Sequence, residues 1–232
     1  MSLTWQGKEV NVDILYSKAG IATQVLLIDR KRNNALLLDC GDGTTRDIIN
    51  HSIDPKQLIG LLVSHGHPDH MGGIYSLLAT LRLIQYEGEF YIFAPYPCKE
   101  VYEMIKLFLK FYKGRLSFTL NYHELKDSVN ESLDQFIIKP FTAPHYESTR
   151  DQPLKNMPAF SYKITLRDEV IVYSGDTKPS PTLEKEVEEC DLAILEATYS
   201  DSFQETIENH LDVNYAHYLG KSAKNYLLIH PY

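Results

Sequence analysis

The apolar run Leu58-Ile59-Gly60-Leu61-Leu62-Val63 leads directly into Ser64-His65-Gly66-His67-Pro68-Asp69-His70-Met71-Gly72-Gly73. The run has the length of a buried strand, and residues 74–83, which follow the junction, predict a helix. Three histidines and an aspartate therefore lie on a tight loop at the carboxyl end of a strand, where open α/β sheets place their ligands. Imidazole and carboxylate groups at this density are typical of a site for a divalent metal such as zinc, and a histidine-rich surface loop is the less favoured alternative.

Glycine and proline are expected to fix the shape of this loop. Gly66 and Pro68 restrict its path, and Gly72-Gly73 are expected to let the backbone pass close to whatever the side chains hold.

Composition sets the class of protein. The 232 residues predict one domain, 1–232, and 44% hydrophobic with 23% charged residues is ordinary for a soluble globular chain. No apolar run approaches the roughly 20 residues of a membrane span, and the N-terminus shows no secretory signal pattern. Cys40, Cys98 and Cys190 are odd in number and form no C-x-x-C pair, which favours reduced thiols in a cytoplasmic protein.

The net charge of the chain indicates which class of partner it binds. With 23 basic and 31 acidic residues the net charge is −8, which does not favour tight binding of nucleic acid. The most basic segment is the predicted helix 98–113, with Lys99, Lys106, Lys110 and Lys113 on one face and Arg115 after it. This face either touches phosphates or is simply solvated, and the solvated face is favoured.

Strands and helices alternate along the chain, which predicts an α/β fold. Strands are predicted at 10–16, 24–29, 35–39, 58–63, 90–95, 116–120, 135–141, 159–166, 170–173, 191–195 and 226–229, and helices at 44–50, near 55, at 74–83, 98–113, 182–189 and 213–224.

Four polar residues of the second half stand just past strand ends or before a helix. His145, Asp176 and His230 each follow a predicted strand, and His210 precedes the last helix. Because the histidines and aspartates of the central loop have the same relation to a strand, all are expected to converge on one edge of the sheets. His51 and His123, in predicted surface turns, and His217, within a helix, are assigned no role.

Two further carboxylates have open roles. Asp39 either orients a metal-bound histidine or is an Asx-type turn residue. Glu196 either orients His210 or is a strand-end residue satisfied by backbone.

His65-Gly66-His67-Pro68-Asp69-His70, followed in order by His145, Asp176 and His230, resembles the signature of the metallo-β-lactamase superfamily. The resemblance implies a four-layer αβ/βα sandwich, with two mixed sheets flanked by helices and a dinuclear metal site. It implies two divalent ions, zinc first, with manganese or iron as alternatives. By the same resemblance His65, His67 and His145 bind one ion, Asp69, His70 and His230 bind the other, and Asp176 bridges them.

Within the superfamily the chain is most similar to ribonuclease Z and its phosphodiesterase relatives. The similarity lies in Tyr173-Ser174-Gly175-Asp176-Thr177, Ile194-Leu195-Glu196-Ala197-Thr198-Tyr199, Asn209-His210-Leu211 and Leu227-Leu228-Ile229-His230. It implies that His210 assists the chemistry without being a permanent ligand. The predicted catalytic residues are His210 and the metal ligand Asp69. Ribonuclease Z enzymes grip tRNA with a long arm, for which the loop from Tyr146 to Pro158 is too short.

The expected function is hydrolysis of a phosphodiester by a hydroxide that bridges two metals. The alternatives are a tRNA 3′-processing endonuclease of ribonuclease Z type, a lactone or thioester hydrolase and, least favoured, a non-enzymatic metal-binding platform. The expected substrate is an anionic small molecule or nucleotide, with nucleic acid less favoured by charge and no membrane partner. The resemblance also implies a possible homodimer.

Overall fold

The computed structural model describes residues 3–147, 155–199 and 209–232. The chain divides into two compact units, Met1–Leu125 and Lys126–Tyr232, here called unit 1 and unit 2. Each unit contains a mixed β-sheet and flanking helices, which confirms the predicted α/β class. In the described part of the chain, no helix is both long enough and apolar enough to cross a membrane.

Unit 1 is a seven-stranded sheet in the order β1-β2-β3-β4-β5-β6-β7. The strands are β1 Leu3–Gln6, β2 Val10–Lys18, β3 Ala22–Asp29, β4 Ala35–Leu38, β5 Leu58–Leu62, β6 Gly88–Pro95 and β7 Phe118–Leu125. The helices are α1 Thr44–Asn50, α2 Pro68–Met71, α3 Ile74–Leu83 and α4 Lys99–Tyr112, with 3₁₀ turns at Pro55–Gln57 and Lys113–Arg115. Pairing is antiparallel from β1 to β4 and parallel from β4 to β7, so the carboxyl ends of the last four strands share one edge.

The helices of unit 1 are held by an apolar face that the sequence encodes. In α3, Ile74, Leu77, Leu78 and Leu81 follow helical spacing, and all four are buried in one cluster with side chains of α1, α4 and the sheet. The short apolar strand β5 runs beneath this cluster and delivers the histidine loop to the carboxyl edge of the sheet.

Unit 2 is a six-stranded sheet in the order β15-β14-β13-β12-β9-β8, together with a separate two-stranded pair. The strands are β8 Glu131–Leu133, β9 Phe136–Thr142, β10 Tyr146–Glu147, β11 Lys155–Asn156, β12 Phe160–Leu166, β13 Glu169–Tyr173, β14 Leu192–Glu196 and β15 Tyr226–Ile229, and the helices are α5 Pro181–Val187 and α6 Val213–Gly220. β13, β14 and β15 are parallel, and β9 has the same direction because two antiparallel steps separate it from β13. The carboxyl ends of these four strands therefore meet at one edge.

Several predicted elements have different bounds in the structure. The strand expected at 116–120 is β7, Phe118–Leu125, so His123 lies in a strand and the prediction of a turn there is wrong. The last helix ends at Gly220 and not at 224. The strands β1, β8, β10 and β11 and the helical turn α2 are additional. The three cysteines are buried free thiols.

An ion triad in unit 2 provides a test of stability. Lys139 and Lys163 face each other across β9 and β12, where like charges repel, and Glu186 of α5 contacts them at 2.8 and 3.0 Å. Burial alone would raise the pKa of Glu186, but hydrogen bonds from the two lysines hold the pKa below its ordinary value of 4.5. A lowered carboxyl pKa stabilises the fold above the unfolded pKa, and this stabilisation is lost as pH falls through the folded pKa.

We therefore expect Glu186→Gln to lower the free energy of unfolding by about 1–2 kcal/mol at neutral pH. The deficit should shrink as pH falls below 4.5. Urea unfolding at two pH values measures it, with the exposed Glu188→Gln as the matched control. A deficit independent of pH would contradict the assignment of the effect to the ion triad.

Candidate metal centre

The histidine loop of unit 1 is shaped by backbone contacts. Pro68 begins α2, so Asp69 and His70 lie on a helical turn that the sequence predicted only as a loop. Gly73 packs against the backbone of the turn after β4, where a side chain would overlap the carbonyl oxygen of Gly41. The expectation that Gly73 makes room for a ligand is therefore wrong, because its close neighbour is the protein's own backbone.

A buried carboxylate organises this loop. Asp39 has no exposed surface, and its oxygens accept hydrogen bonds from the Ser64 backbone N–H at 2.6 Å, the Ser64 hydroxyl at 2.8 Å and His70 Nδ1 at 2.7 Å. Because a carboxylate only accepts, Nδ1 of His70 carries the proton and Nε2 carries the lone pair that a metal needs. Of the two roles considered for Asp39, orientation of a histidine is the one that its contacts support.

Ser64 extends the same control to His65. Its hydroxyl proton is directed to Asp39, so the hydroxyl oxygen accepts from His65 Nδ1 at 2.9 Å. This contact places the lone pair of His65 on Nε2, which lies 2.9 Å from Nδ1 of His67. The orienting hydroxyl was missed in the sequence, although Ser64 directly precedes the first histidine.

The donor distances in unit 1 fit a divalent ion. Two nitrogens bound about 2.0–2.1 Å from one ion lie about 2.8–3.4 Å apart at right to tetrahedral angles, and His65 Nε2 and His67 Nδ1 are 2.9 Å apart. His70 Nε2 and an oxygen of Asp69 are 3.8 Å apart, within the roughly 4.2 Å that one ion can span. The same Asp69 oxygen is anchored by the backbone N–H of Gly20 at 2.8 Å.

The second group of donors stands at the carboxyl edge of the unit 2 sheet. His145 follows β9, Asp176 follows β13, and His230 follows β15. The Nδ1 of His145 donates to the backbone carbonyl of Asn209 at 3.1 Å, so its lone pair also lies on Nε2. The predicted convergence of strand ends is thus confirmed within unit 2.

Glu196, at the end of β14, plays the part in unit 2 that Asp39 plays in unit 1. It is fully buried and accepts from the Thr177 backbone N–H at 2.6 Å, the Thr198 hydroxyl at 2.6 Å and His210 Nδ1 at 3.0 Å. Thr198 in turn accepts from His230 Nδ1 at 2.9 Å, which places the lone pair of His230 on Nε2. Glu196 therefore orients two histidines, and Thr198 is the second hydroxyl that sequence reasoning missed.

His210 lies among the other donors of unit 2. Its ring stacks on that of His230, with 5.8 Å between the ring centres, and meets the ring of His145 edge-on, with 5.3 Å between centres. A carboxylate oxygen of Asp176 lies 3.7 Å from Nδ1 of His210. One ligand atom each from Asp176, His210 and His230 fall within 4.8 Å of one another. The side chain of His210 is 18% exposed, against 2% for His230, so His210 is the member of this group that a substrate can reach.

Backbone strain also marks the site. Among the described residues, nine that are not glycine have positive φ, and seven of these lie in exposed or half-exposed turns. The two buried ones are Asp39 and His230, at φ 57° and 61°. Such conformations persist where the surroundings over-determine them, commonly at functional sites. The residues assigned no role, His51, His123 and His217, lie outside both groups of donors.

The family model of the beta-lactamase superfamily domain matches residues 34–230. The chain belongs to the beta-lactamase superfamily. Ribonuclease Z of Bacillus subtilis is 26% identical, aligned over 79% of this chain and 72% of that protein. The metallo-beta-lactamase fold protein YhfI of Bacillus subtilis is similar in structure at a TM-score of 0.77 with 18% identity, covering 97% of this chain and 88% of YhfI. The structure of human tRNase Z, short form, is similar at a TM-score of 0.78 with 22% identity, covering 95% of this chain and 92% of the human protein.

The predicted resemblance and fold class are confirmed, and the superfamily member described here is a metal-dependent hydrolase.

The orienting role of Asp39 can be measured on metal affinity. Asp39→Asn keeps the size of the side chain but replaces one of its two oxygens with an NH₂ group, which only donates hydrogen bonds. The asparagine side chain therefore cannot accept all the hydrogen bonds that Ser64 and His70 donate to Asp39. Loss of such an outer hydrogen bond typically costs about 10–100-fold in metal affinity. Competition with a chromogenic zinc chelator should show a loss in this range. Asp42→Asn, on the same turn, is the control, and equal affinities for the two variants would contradict the role.

Proposed function

We propose that this superfamily member is a dinuclear metal-dependent phosphodiesterase. His65, His67 and His145 would hold one ion, Asp69, His70 and His230 the second, and Asp176 would bridge them. Zinc is the first choice because every donor is an imidazole nitrogen or a carboxylate oxygen, and manganese or iron are alternatives.

One observation carries the proposal. Four of the predicted ligands, His65, His70, His145 and His230, have Nδ1 committed to an oxygen acceptor, so each presents its lone pair on Nε2. Histidines that serve only structure have no need of a common tautomer. Metal-binding histidines almost always donate their other ring nitrogen in this way.

The residues of the chain divide the chemistry between them. When bound, two divalent ions lower the pKa of a water molecule and neutralise charge that develops on the phosphate. His210 donates a proton from Nε2 to the leaving oxygen, because its Nδ1 is fixed on Glu196. The buried Glu196 carboxylate stabilises the protonated imidazole before the transfer.

The substrate class follows from charge. Two carboxylates, Asp69 and Asp176, stand in the proposed donor set, and the buried Asp39 and Glu196 lie behind the histidines. These four carboxylates balance the charge of two divalent ions, so an anionic small molecule or nucleotide would be held by direct contact between its phosphate and the ions. A chain of net charge −8 would bind such a substrate through the site itself. The single-domain organisation, a cytoplasmic location and a homodimer complete the proposal. The match of residues 34–230 to one family model supports the first, and the buried free thiols support the second.

A tRNA 3′-processing endonuclease is the second candidate. The similarity to proteins named Ribonuclease Z favours it. The short interval from Tyr146 to Pro158 speaks against the usual tRNA-gripping arm, although residues 148–154 lie outside the described residues.

A substrate panel on zinc- or manganese-loaded protein tests the proposal. We expect hydrolysis of bis-p-nitrophenyl phosphate that a chelator abolishes and added metal restores. Cleavage of a 3′-extended tRNA would select the second candidate. Turnover of lactones or thioesters without phosphodiesters would overturn the proposal, as would full metal occupancy with no activity on any substrate.

A further inference from the structure

We infer that Lys178 and Tyr146 of unit 2 form a subsite for a second phosphate group on the substrate, next to the phosphate that is hydrolysed. Nζ of Lys178 lies 2.7 Å from the hydroxyl oxygen of Tyr146 and 4.5 Å from the centre of its ring. Both residues are half-buried. The inference rests on the proposed phosphodiesterase function, which defines the first phosphate.

The backbone ties this pair to two of the proposed metal ligands. Tyr146 directly follows His145, and Lys178 comes two residues after Asp176, so their Cα atoms lie within about 4 and 7 Å of those ligands. The backbone N–H of Lys178 donates to the carbonyl of Pro144 at 3.0 Å, which joins the two segments. A substrate held by the donors of unit 2 therefore has the pair close beside it.

The pair stands to one side of the donors. Tyr146 begins β10, and successive side chains of an extended segment point to opposite sides, so its ring turns away from that of His145. Within the described residues Lys178 forms no ion pair with Asp176, although only Thr177 separates them, and its ammonium is held on Tyr146. A group that adjoins the scissile phosphate fits this position better than the scissile phosphate itself.

The hydrogen-bonding capacity of the pair suits phosphate oxygens. An ammonium group only donates, so the Tyr146 oxygen accepts from Lys178 and its own O–H proton is left to donate elsewhere. Two further N–H groups of Lys178 remain, which gives three donors and one positive charge. Lysine binds phosphate as a point charge, through short charge-assisted hydrogen bonds.

Charge distinguishes Lys178 from the other lysines of unit 2. Lys139, Lys163 and Lys224 each contact a carboxylate at 2.8–3.0 Å. In the described part of the chain Lys178 has no carboxylate partner, and in the sequence it is the lysine or arginine nearest to any proposed ligand. Because four carboxylates balance the two proposed ions, Lys178 supplies positive charge for a further anionic group.

Two matched chromogenic diesters test the subsite on zinc-loaded protein. One is the p-nitrophenyl ester of thymidine 5′-phosphate, and the other is the same ester with a phosphate on the 3′ oxygen. We expect the parent to prefer the 3′-phosphorylated ester by at least about tenfold in kcat/KM, the value of one charge-assisted hydrogen bond, and K178M to lose that preference. The preference should lie in KM, since a group remote from the reacting bond binds equally in the ground and transition states.

The controls separate loss of the subsite from loss of the fold. K185M removes an exposed lysine of α5 and should keep the full preference. Y146F removes one donor but leaves the charge of Lys178, so it should keep part of the preference. Zinc content and the thermal unfolding midpoint of K178M should match those of the parent.

Three outcomes overturn the inference. One is a parent that does not distinguish the two esters, and the second is a K178M variant that retains the parent's preference. The third is an equal loss on both esters, which would place Lys178 on the scissile phosphate. Calorimetric binding of thymidine 3′,5′-bisphosphate and thymidine 5′-phosphate separates this result from the proposed function. If neither ester is hydrolysed but the bisphosphate binds more tightly to the parent and not to K178M, the proposed function fails and the subsite stands.

Discussion

Replacing His67 with alanine is expected to abolish hydrolysis and to lower the bound metal from two ions to about one. Nδ1 of His67 lies 2.9 Å from Nε2 of His65, so one ion would lose one of two adjacent nitrogen ligands. Zinc sites need about four ligands, and the substitution removes one of the three imidazole nitrogens proposed for this ion. We expect the rate to fall by at least about 10³-fold, because the mechanism uses both ions.

Elemental analysis and steady-state kinetics on purified His67→Ala measure both effects. His123→Ala is the matched control, because His123 is exposed on β7 and its ring contacts Tyr91 and Phe93, away from both groups of donors. Full metal content with lost activity would show that His67 acts on substrate and is not a ligand.

His210→Ala is expected to lower turnover by about 10²–10⁴-fold, the usual contribution of a general acid, with metal content unchanged. Its Nδ1 is held on the buried Glu196, which accepts three hydrogen bonds and can stabilise a positive imidazole. The substrate-facing nitrogen is thus fixed in position and tautomer. A substrate with a good leaving group, such as p-nitrophenolate, should suffer less than one with an alkoxide leaving group.

The difference between leaving groups separates acid catalysis from a loss of structure. His217→Ala, on α6 and exposed, should leave both rates unchanged. Loss of metal from His210→Ala would make His210 a ligand, which the distances to Asp176 and His230 permit. Equal losses for both substrates would remove the proton-transfer role.

Sequence predicts an element well where one face must be apolar. Helix α3 carries four apolar residues at helical spacing and spans Ile74–Leu83 as predicted. Strand β7 is at the edge of its sheet, and its residues Asn121 to Glu124 include polar side chains that resemble a turn. An edge strand with a solvated side gives only a weak apolar pattern, so its bounds were misplaced.

The candidate site shows the same division. His65, His67 and His70 are recognisable because their spacing has few other uses, and His145, Asp176 and His230 because each follows a strand. Ser64 and Thr198 could not be found this way, since a hydroxyl after a strand is ordinary in sequence. Their roles depend on Asp39 and Glu196, and the Ser64–Asp39 contact joins residues 25 positions apart.

The burial of the three cysteines affects how readily this hydrolase is oxidised or alkylated. Burial raises the pKa of the Cys40 and Cys98 thiols to about 12 and that of Cys190 to about 11. At neutral pH each remains a thiol, whereas oxidants and alkylating agents attack the thiolate. No sulfur stands among the proposed ligands, so peroxide has no soft target at the centre. We therefore expect the activity of the proposed centre to resist peroxide concentrations that inactivate enzymes with cysteine ligands.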